Sequence, residues 1–336
     1  MVERWAGRLL DQSRTVVLAA IAVIAVWRTG MTAYWQPLQY EIAEAFPRPT
    51  SSYRGGAVLS PALMTLLGLD DGTDRGWFAI HLVITVAAIF VVGVLVWRRF
   101  PTPDQRWFVL VALAGSSYPV TLLIRIGHYD VWFLLGAGIV VLARSWPAVV
   151  AGGLLMGLTN VEQAIIALMT LAAVAWLIDR SILRSAGIAA ASVICAWVAI
   201  QGWYAAYDVE QETRAGLLGR NFDAAWRGFA RALPIQVFSW FSAAWLVVLT
   251  VCRSAWIFIA LVALPALMAI ITVDGTRVFV ACVAPAFLAI LVVAAHEVDE
   301  LALQRLTRWT LIFMILTPGV STFVGGGVPL PWIDYT

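Results

Sequence analysis

Gly76-Trp77-Phe78-Ala79-Ile80-His81-Leu82-Val83-Ile84-Thr85-Val86-Ala87-Ala88-Ile89-Phe90-Val91-Val92-Gly93-Val94-Leu95-Val96-Trp97 runs without an acidic or basic side chain other than His81 and stops at Arg98-Arg99. At about 1.5 Å of rise per residue, a helix of this length crosses the roughly 30 Å hydrocarbon layer of a bilayer. Inside lipid every backbone polar group needs an internal partner, which a helix supplies. The rest of the chain agrees: of 336 residues, 62% are hydrophobic and 12% charged, and the mean hydropathy is +0.86. A soluble domain of this length does not have that composition. The fold class read from it is all-α, a polytopic integral membrane protein.

Working outward, further apolar runs lie near 14–28, 107–124, 129–143, 146–160, 162–178, 185–207, 235–251, 255–273, 277–295 and 308–323. Together they make about eleven expected spans in a single transmembrane domain, 1–336. The run near 14–28 follows Arg4, Arg8 and Arg14 but lacks a signal-peptide cleavage site, so it reads as a retained first span. Arginines in the short connections, at 98, 99, 106, 144, 180, 184, 253, 305 and 308, place the N-terminus in the cytoplasm and the C-terminus outside. All 22 basic residues are arginine, which with abundant Ala, Val and Gly points to a GC-rich bacterial genome and so to a bacterial cytoplasmic membrane.

Between the first two spans, 28–75 forms a long first outer loop. It holds Glu41 and Glu44, then the apolar piece Leu59-Ser60-Pro61-Ala62-Leu63-Met64-Thr65-Leu66-Leu67. A piece so short is expected as an amphipathic helix lying on the membrane, and a carboxylate held at that level faces both water and headgroups. A plain inter-helix loop is the competing reading. A second long outer loop, 208–234, opens acidic and turns basic; Arg227 and Arg231 stand one helical turn apart among Phe222, Trp226 and Phe229. That spacing suits an interfacial helix whose arginines reach a lipid phosphate, or one that only anchors to headgroups.

The orientation gathers Glu41, Arg125, His128, Asp130, Asn160, Glu162, Asp274 and Arg277 at one membrane face. Ionisable groups are costly at membrane depth, so a one-sided collection points to a single polar site, although charges also mark span ends. Arg125-Ile126-Gly127-His128-Tyr129-Asp130 packs three ionisable groups into one turn. Its readings are proton transfer at His128, a divalent cation on His128 and Asp130, or a turn closed by an Asp130 to Arg125 contact. Asn160-Val161-Glu162-Gln163 is a polar junction that either turns the chain or meets a substrate, and Gly152, Gly153 and Gly157 before it permit close helix packing. Asp274 and Arg277 pair with each other or offer Arg277 to a phosphate. The Gly- and Pro-containing tail, Gly325 to Trp332, is expected to be flexible and outside.

Cys195, Cys252 and Cys282 lie in or at the ends of apolar runs without CxxC spacing, which argues against zinc and disulfides. Phosphate loops, dinucleotide fingerprints, HExxH and GxSxG are missing, which argues against ATP-driven pumps and zinc proteases.

The long first loop with its early carboxylate, the inside N-terminus and about eleven spans resemble the GT-C superfamily of polytopic glycosyltransferases that use polyprenyl-phosphate sugars. So does the stretch Gly127-His128-Tyr129-Asp130 through Arg144 to Gly152-Gly153-Leu154-Leu155-Met156-Gly157. The chain departs from many such relatives at Glu162 and Gln163, where they carry a basic residue, and at Glu41, where they often carry Asp. The resemblance implies a GT-C-like fold in which Glu41, with Glu44 as its rival, is the general base that deprotonates an acceptor hydroxyl. It implies that Arg227, Arg231 or Arg277 meets the leaving phosphate. Arg125, His128, Tyr129, Asp130, Asn160, Glu162 and Asp274 would then line the substrates, with a divalent cation on His128 and Asp130 as some relatives require. The expected partners are the lipid bilayer, a polyprenyl-phosphate sugar and a glycan or lipid acceptor, with no nucleic acid. The alternatives are a lipid or solute transporter and a non-catalytic subunit of the same fold.

Overall fold

Apolar on every side, the segment after Asp274 has no polar face to show to water, and such a helix belongs at the centre of a bundle. In the computed structural model it does lie there. The structure describes residues 2–30, 46–48, 58–69, 73–208, 214–272, 274–323 and 326–330. In chain order the helices are α1 (Val2–Leu10), α2 (Arg14–Thr29), α3 (Leu59–Leu66), α4 (Asp74–Arg99), α5 (Pro103–Gly115), α6 (Tyr118–Leu123), α7 (Asp130–Leu142) and α8 (Trp146–Gly157). They continue with α9 (Val161–Ile178), α10 (Ile182–Ala206), α11 (Arg214–Arg231), α12 (Leu233–Phe241), α13 (Trp245–Val251), α14 (Ala255–Ile270), α15 (Gly275–Glu297) and α16 (Glu300–Leu316). The molecule is an all-α, multi-pass membrane protein. Among the described residues, five segments are long and apolar enough to cross a bilayer: 75–99, 161–178, 182–206, 233–251 and 275–297. The apolar helices α7, α8 and α14 are shorter.

Helix α15 is the axis, 94% of its apolar window being buried, and it packs on α9, α14, α7, α5 and α12. Alanines at 281, 284, 286 and 289 let these neighbours approach, while Phe279 and Phe287 fill the space between them. In α4, by contrast, only 28% of the window is buried. Val83, Val86, Ile89 and Phe90 face outward, as lipid-facing side chains do.

The glycines singled out in the sequence sit where helices touch. A Cβ on Gly152 would meet the Gly136 carbonyl of α7 at 2.8 Å, and one on Gly153 would meet Ala189 O and Ser192 Cβ of α10 at 2.8 Å. Gly153→Ala is therefore expected to lower stability by about 1–3 kcal/mol through overpacking. Gly187→Ala, where nothing lies within 4 Å, should be neutral or gain up to roughly 1 kcal/mol of helix propensity. Thermal unfolding of the two variants in detergent checks the contrast.

Two of the segments expected to span are broken. The α5–α6 segment is interrupted at Ser116 and Ser117, and the α12–α13 segment at a 3-10 turn, Ser242–Ala244, where Ser242 has φ 51°. Irregular backbone at membrane depth survives only where protein groups satisfy it. Arg28, at the end of α2 and 1% exposed, does this. Its guanidinium donates to Ala114 O (3.3 Å) and Gly115 O (3.4 Å) at the end of α5, to Thr317 O (2.9 Å) just past α16, and to Ser242 Oγ (2.6 Å). Helix C-termini carry unpaired carbonyls and a partial negative charge, so they compensate a buried cation. From sequence, Arg28 reads only as the boundary between the first span and the first outer loop.

The end of the chain also departs from expectation. The run near 308–323 is not one span: α16 starts at Glu300 and stops at Leu316, and β1 (Gly319–Phe323) then pairs antiparallel with β2 (Gly326–Leu330), Gly319 opposite Leu330. Residues 326–330, expected as part of a flexible tail, are thus half of a hairpin. A Cβ on Gly319 would meet Arg28 O at 2.9 Å, so the hairpin starts against the end of α2.

Candidate functional site

The site is assembled from two short connections, 124–129 and the residues opening α15. Gly127 adopts φ +104°, a conformation that L side chains avoid, and a Cβ there would meet the Trp77 indole at 3.0 Å. Trp77 of α4 donates from Nε1 to Gly127 O at 3.1 Å and fastens the turn from above. His128 N closes the turn on Arg125 O at 3.0 Å. Asp130 then opens α7 and Asp274 precedes α15, where helix dipoles favour carboxylates.

The two connections are held together by crossed ion pairs. Arg125 binds Asp274 Oδ2, which also accepts from Arg277 Nε at 2.8 Å. Arg277 Nη1 lies 2.9 Å from Tyr129 Oη, 3.3 Å from His128 Nε2 and 3.4 Å from Asp130 Oδ1. His128 Nδ1 faces Asp130 Oδ2 at 2.9 Å. The local Asp130 to Arg125 contact considered from sequence is replaced: Asp130 takes Arg277, and Arg125 reaches across to Asp274. The expected contact between Asp274 and Arg277 is present. His128, Asp130 and Asp274 are all buried. Among the described residues, two arginines and two aspartates balance in this cluster. Arg277 Nη2 makes no hydrogen bond among the described residues, and neither does the buried Asp274 Oδ1.

These contacts suit a neutral His128 with its Nε2 lone pair toward an Arg277 N–H; Nδ1 lies close to Asp130 Oδ2 without the alignment of a hydrogen bond. Burial, and then the Arg277 and Arg125 guanidiniums, hold the ring below its ordinary value of 6.5 against the opposing pull of Asp130. The unfolded chain then takes up the proton first, so stability is lost as the pH falls below about 6.5. The unfolding midpoint should drop between about pH 7.5 and 5.5 in the wild type and drop less in His128→Gln; equal drops would refute the assignment.

A divalent cation does not fit His128 and Asp130. The Arg277 guanidinium lies against His128 Nε2 and Asp130 Oδ1, and no group of three or more metal-ligating side chains occurs among the described residues.

The other expected residues are placed by their own elements. Asn160 caps α9, its Oδ1 accepting from Gln163 N at 3.0 Å, and Glu162 is exposed on the first turn. Asn160 thus serves as the cap of α9. Arg227 and Arg231 lie exposed on α11, so the basic part of the second outer loop is helical as its spacing implied. Phe229 of that helix stacks toward Trp240 at 6.4 Å, and Trp240 stacks on Phe279 of α15 at 4.5 Å. Glu41 and Glu44 lie outside the described residues.

The sequence reading missed the layer behind Arg277. Thr276 donates to Ser239 Oγ at 2.7 Å, and Ser117 donates to the Ser239 carbonyl, so both broken spans are tied to the first turn of α15. It also missed the contacts of α3. Ser60 accepts from Trp132 Nε1 at 2.7 Å and Met64 packs on Trp77, while Leu66 and Leu67 project outward, 73% and 63% exposed. No protein-family model, no curated protein and no solved structure matches this chain.

Proposed function

We propose that this protein is a glycosyltransferase of GT-C-like fold, with about eleven spans and a cytoplasmic N-terminus in a bacterial membrane. It transfers a sugar from a polyprenyl-phosphate donor to a glycan or lipid acceptor at the face that carries Arg277. One observation carries the reading: a buried polar cluster at one end of an apolar bundle, closed by Trp77, stands beside α3, at whose end Leu66 and Leu67 point outward. Such an arrangement suits a substrate with a lipid tail and a polar, reactive head.

In this reading Glu41 removes the proton from an acceptor hydroxyl, whose oxygen attacks the anomeric carbon. The bond from that carbon to the phosphate oxygen breaks, and polyprenyl phosphate leaves with the electron pair. Arg277 Nη2 donates to that phosphate from a guanidinium already fixed by Asp274, Asp130 and Tyr129. Because its charge is balanced, Arg277 orients the phosphate, and the exposed Arg227 and Arg231 supply net positive charge. The two broken spans are what would favour a transporter, since transporters bind substrate at such breaks; here the donors of Arg28 fill the interruption.

The test is a donor screen. Purified protein in liposomes receives a series of polyprenyl-phosphate hexoses and pentoses with lipid and glycan acceptors, and released polyprenyl phosphate is scored. Protein-dependent release with one donor supports the reading. Stable, folded protein that releases none from any donor removes it.

A further inference from the structure

At the far end of α15, some twenty residues and so about 30 Å of helix from Arg277, lies a second feature that the sugar-transfer reading does not use. A cleft of about 160 Å³ opens between α9, α13, α14 and α15. Leu177, Ile178, Val251, Ile257, Ile290 and Val293 make its walls, and Arg253 and Glu297 stand on its rim. Both charged side chains are exposed, and neither has an ion-pair or side-chain hydrogen-bond partner among the described residues, each other included.

Their positions differ in cost. Arg253 follows the C-terminus of α13, where a cation is favoured, and it precedes the N-terminus of α14, where an anion is favoured. Glu297 is the last residue of α15, where the helix dipole disfavours a carboxylate. An anionic group between Arg253 and α14 and a cationic group on Glu297 would complete both. The cleft also has a definite height. Trp176, beside Leu177, and Trp256, beside Ile257, are 58% and 71% exposed, and Arg180 lies over the Trp176 ring at 4.2 Å. Exposed tryptophans with arginine mark the headgroup layer.

We propose that this cleft binds a zwitterionic phospholipid, the phosphate on Arg253 and a primary ammonium on Glu297, with an acyl chain leaving past Leu177. The volume is below the roughly 300–1,000 Å³ of drug-sized sites, so the aliphatic walls take only the start of one acyl chain while the headgroup stays on the charged rim. Phosphatidylethanolamine has this charge pattern. Phosphatidylglycerol lacks the ammonium, and phosphatidylcholine carries one with no N–H to donate. The site is independent of the sugar-transfer reading.

The experiment is native mass spectrometry of the delipidated full-length protein, titrated with phosphatidylethanolamine, phosphatidylglycerol and phosphatidylcholine of one chain length, and with soluble phosphoethanolamine. Phosphatidylethanolamine should bind tightest. Arg253→Gln should weaken phosphatidylethanolamine and phosphatidylglycerol alike by roughly tenfold, the worth of one charge-assisted hydrogen bond. Glu297→Gln should weaken phosphatidylethanolamine by a similar factor and leave phosphatidylglycerol unchanged. Arg253→Lys should restore part of the loss. Both side chains are exposed, and an unshifted unfolding midpoint verifies that each variant is folded. Phosphatidylglycerol binding as tightly as phosphatidylethanolamine, or Glu297→Gln leaving their ratio unchanged, would overturn the proposal. Soluble phosphoethanolamine competing on equal terms with the lipid would overturn the lipid assignment.

Discussion

Glu41→Gln is expected to lower sugar transfer by about 10²- to 10⁴-fold, the usual contribution of a positioned general base. The change keeps the shape of the side chain and removes its basicity, so the loss should fall on turnover with the donor KM little altered. Glu44→Gln is the control that separates the two carboxylates of the first outer loop. If Glu44→Gln carries the loss and Glu41→Gln does not, the base is Glu44. If neither does, the first loop supplies no base and the proposed chemistry fails. The unfolding midpoint of Glu41→Gln should match that of the wild type.

Arg28→Gln should have the largest effect on stability. The glutamine amide is shorter and has two N–H groups, against four hydrogen bonds from the native guanidinium, two of them to the end of α5 and the others to Thr317 O and Ser242 Oγ. Leaving buried acceptors unpaired costs about 1–3 kcal/mol each, so a loss on the order of 3 kcal/mol or more is expected. Arg28→Lys should lie between the two, because it keeps the charge but cannot span acceptors on three elements. Thermal unfolding in detergent orders the three proteins. A midpoint for Arg28→Gln equal to that of the wild type would show that the broken spans are held by something other than this side chain.

The difference between Arg28 and Arg277 shows what could be read from the chain alone. Arg277 was legible because it opens an apolar run within a compact polar turn, beside Asp274. Arg28 ends an apolar run in the same way and looks like any arginine at a membrane boundary. Only the convergence of α5, α16 and the Ser242 turn on it distinguishes it, and these lie far away in sequence.

The packing glycines were legible, since small residues at 152, 153 and 157 in an apolar run need no knowledge of their partner to imply close approach. The ion pairs were legible only as a set. Spacing along the chain suggests Asp130 with Arg125, whereas the turn carrying both is pressed by Trp77 onto the start of α15, where Arg277 and Asp274 exchange partners with them. Asn160 reads two ways for a local reason: a polar residue before an apolar helix serves as a cap as readily as a ligand, and the structure shows the cap. The hairpin was hidden because Val320 and Phe323 extend the apolar run of α16, and hydropathy alone does not register the change from helix to strand.

The measurement that bears most directly on the central claim follows two quantities in one proteoliposome preparation: sugar joined to acceptor, and labelled donor lipid moved across the bilayer. The account predicts product formed by the wild type, product lost with Glu41→Gln, and no movement of donor above that in empty liposomes. Movement of the lipid without product, unchanged in Glu41→Gln, would contradict it and identify the protein as a transporter.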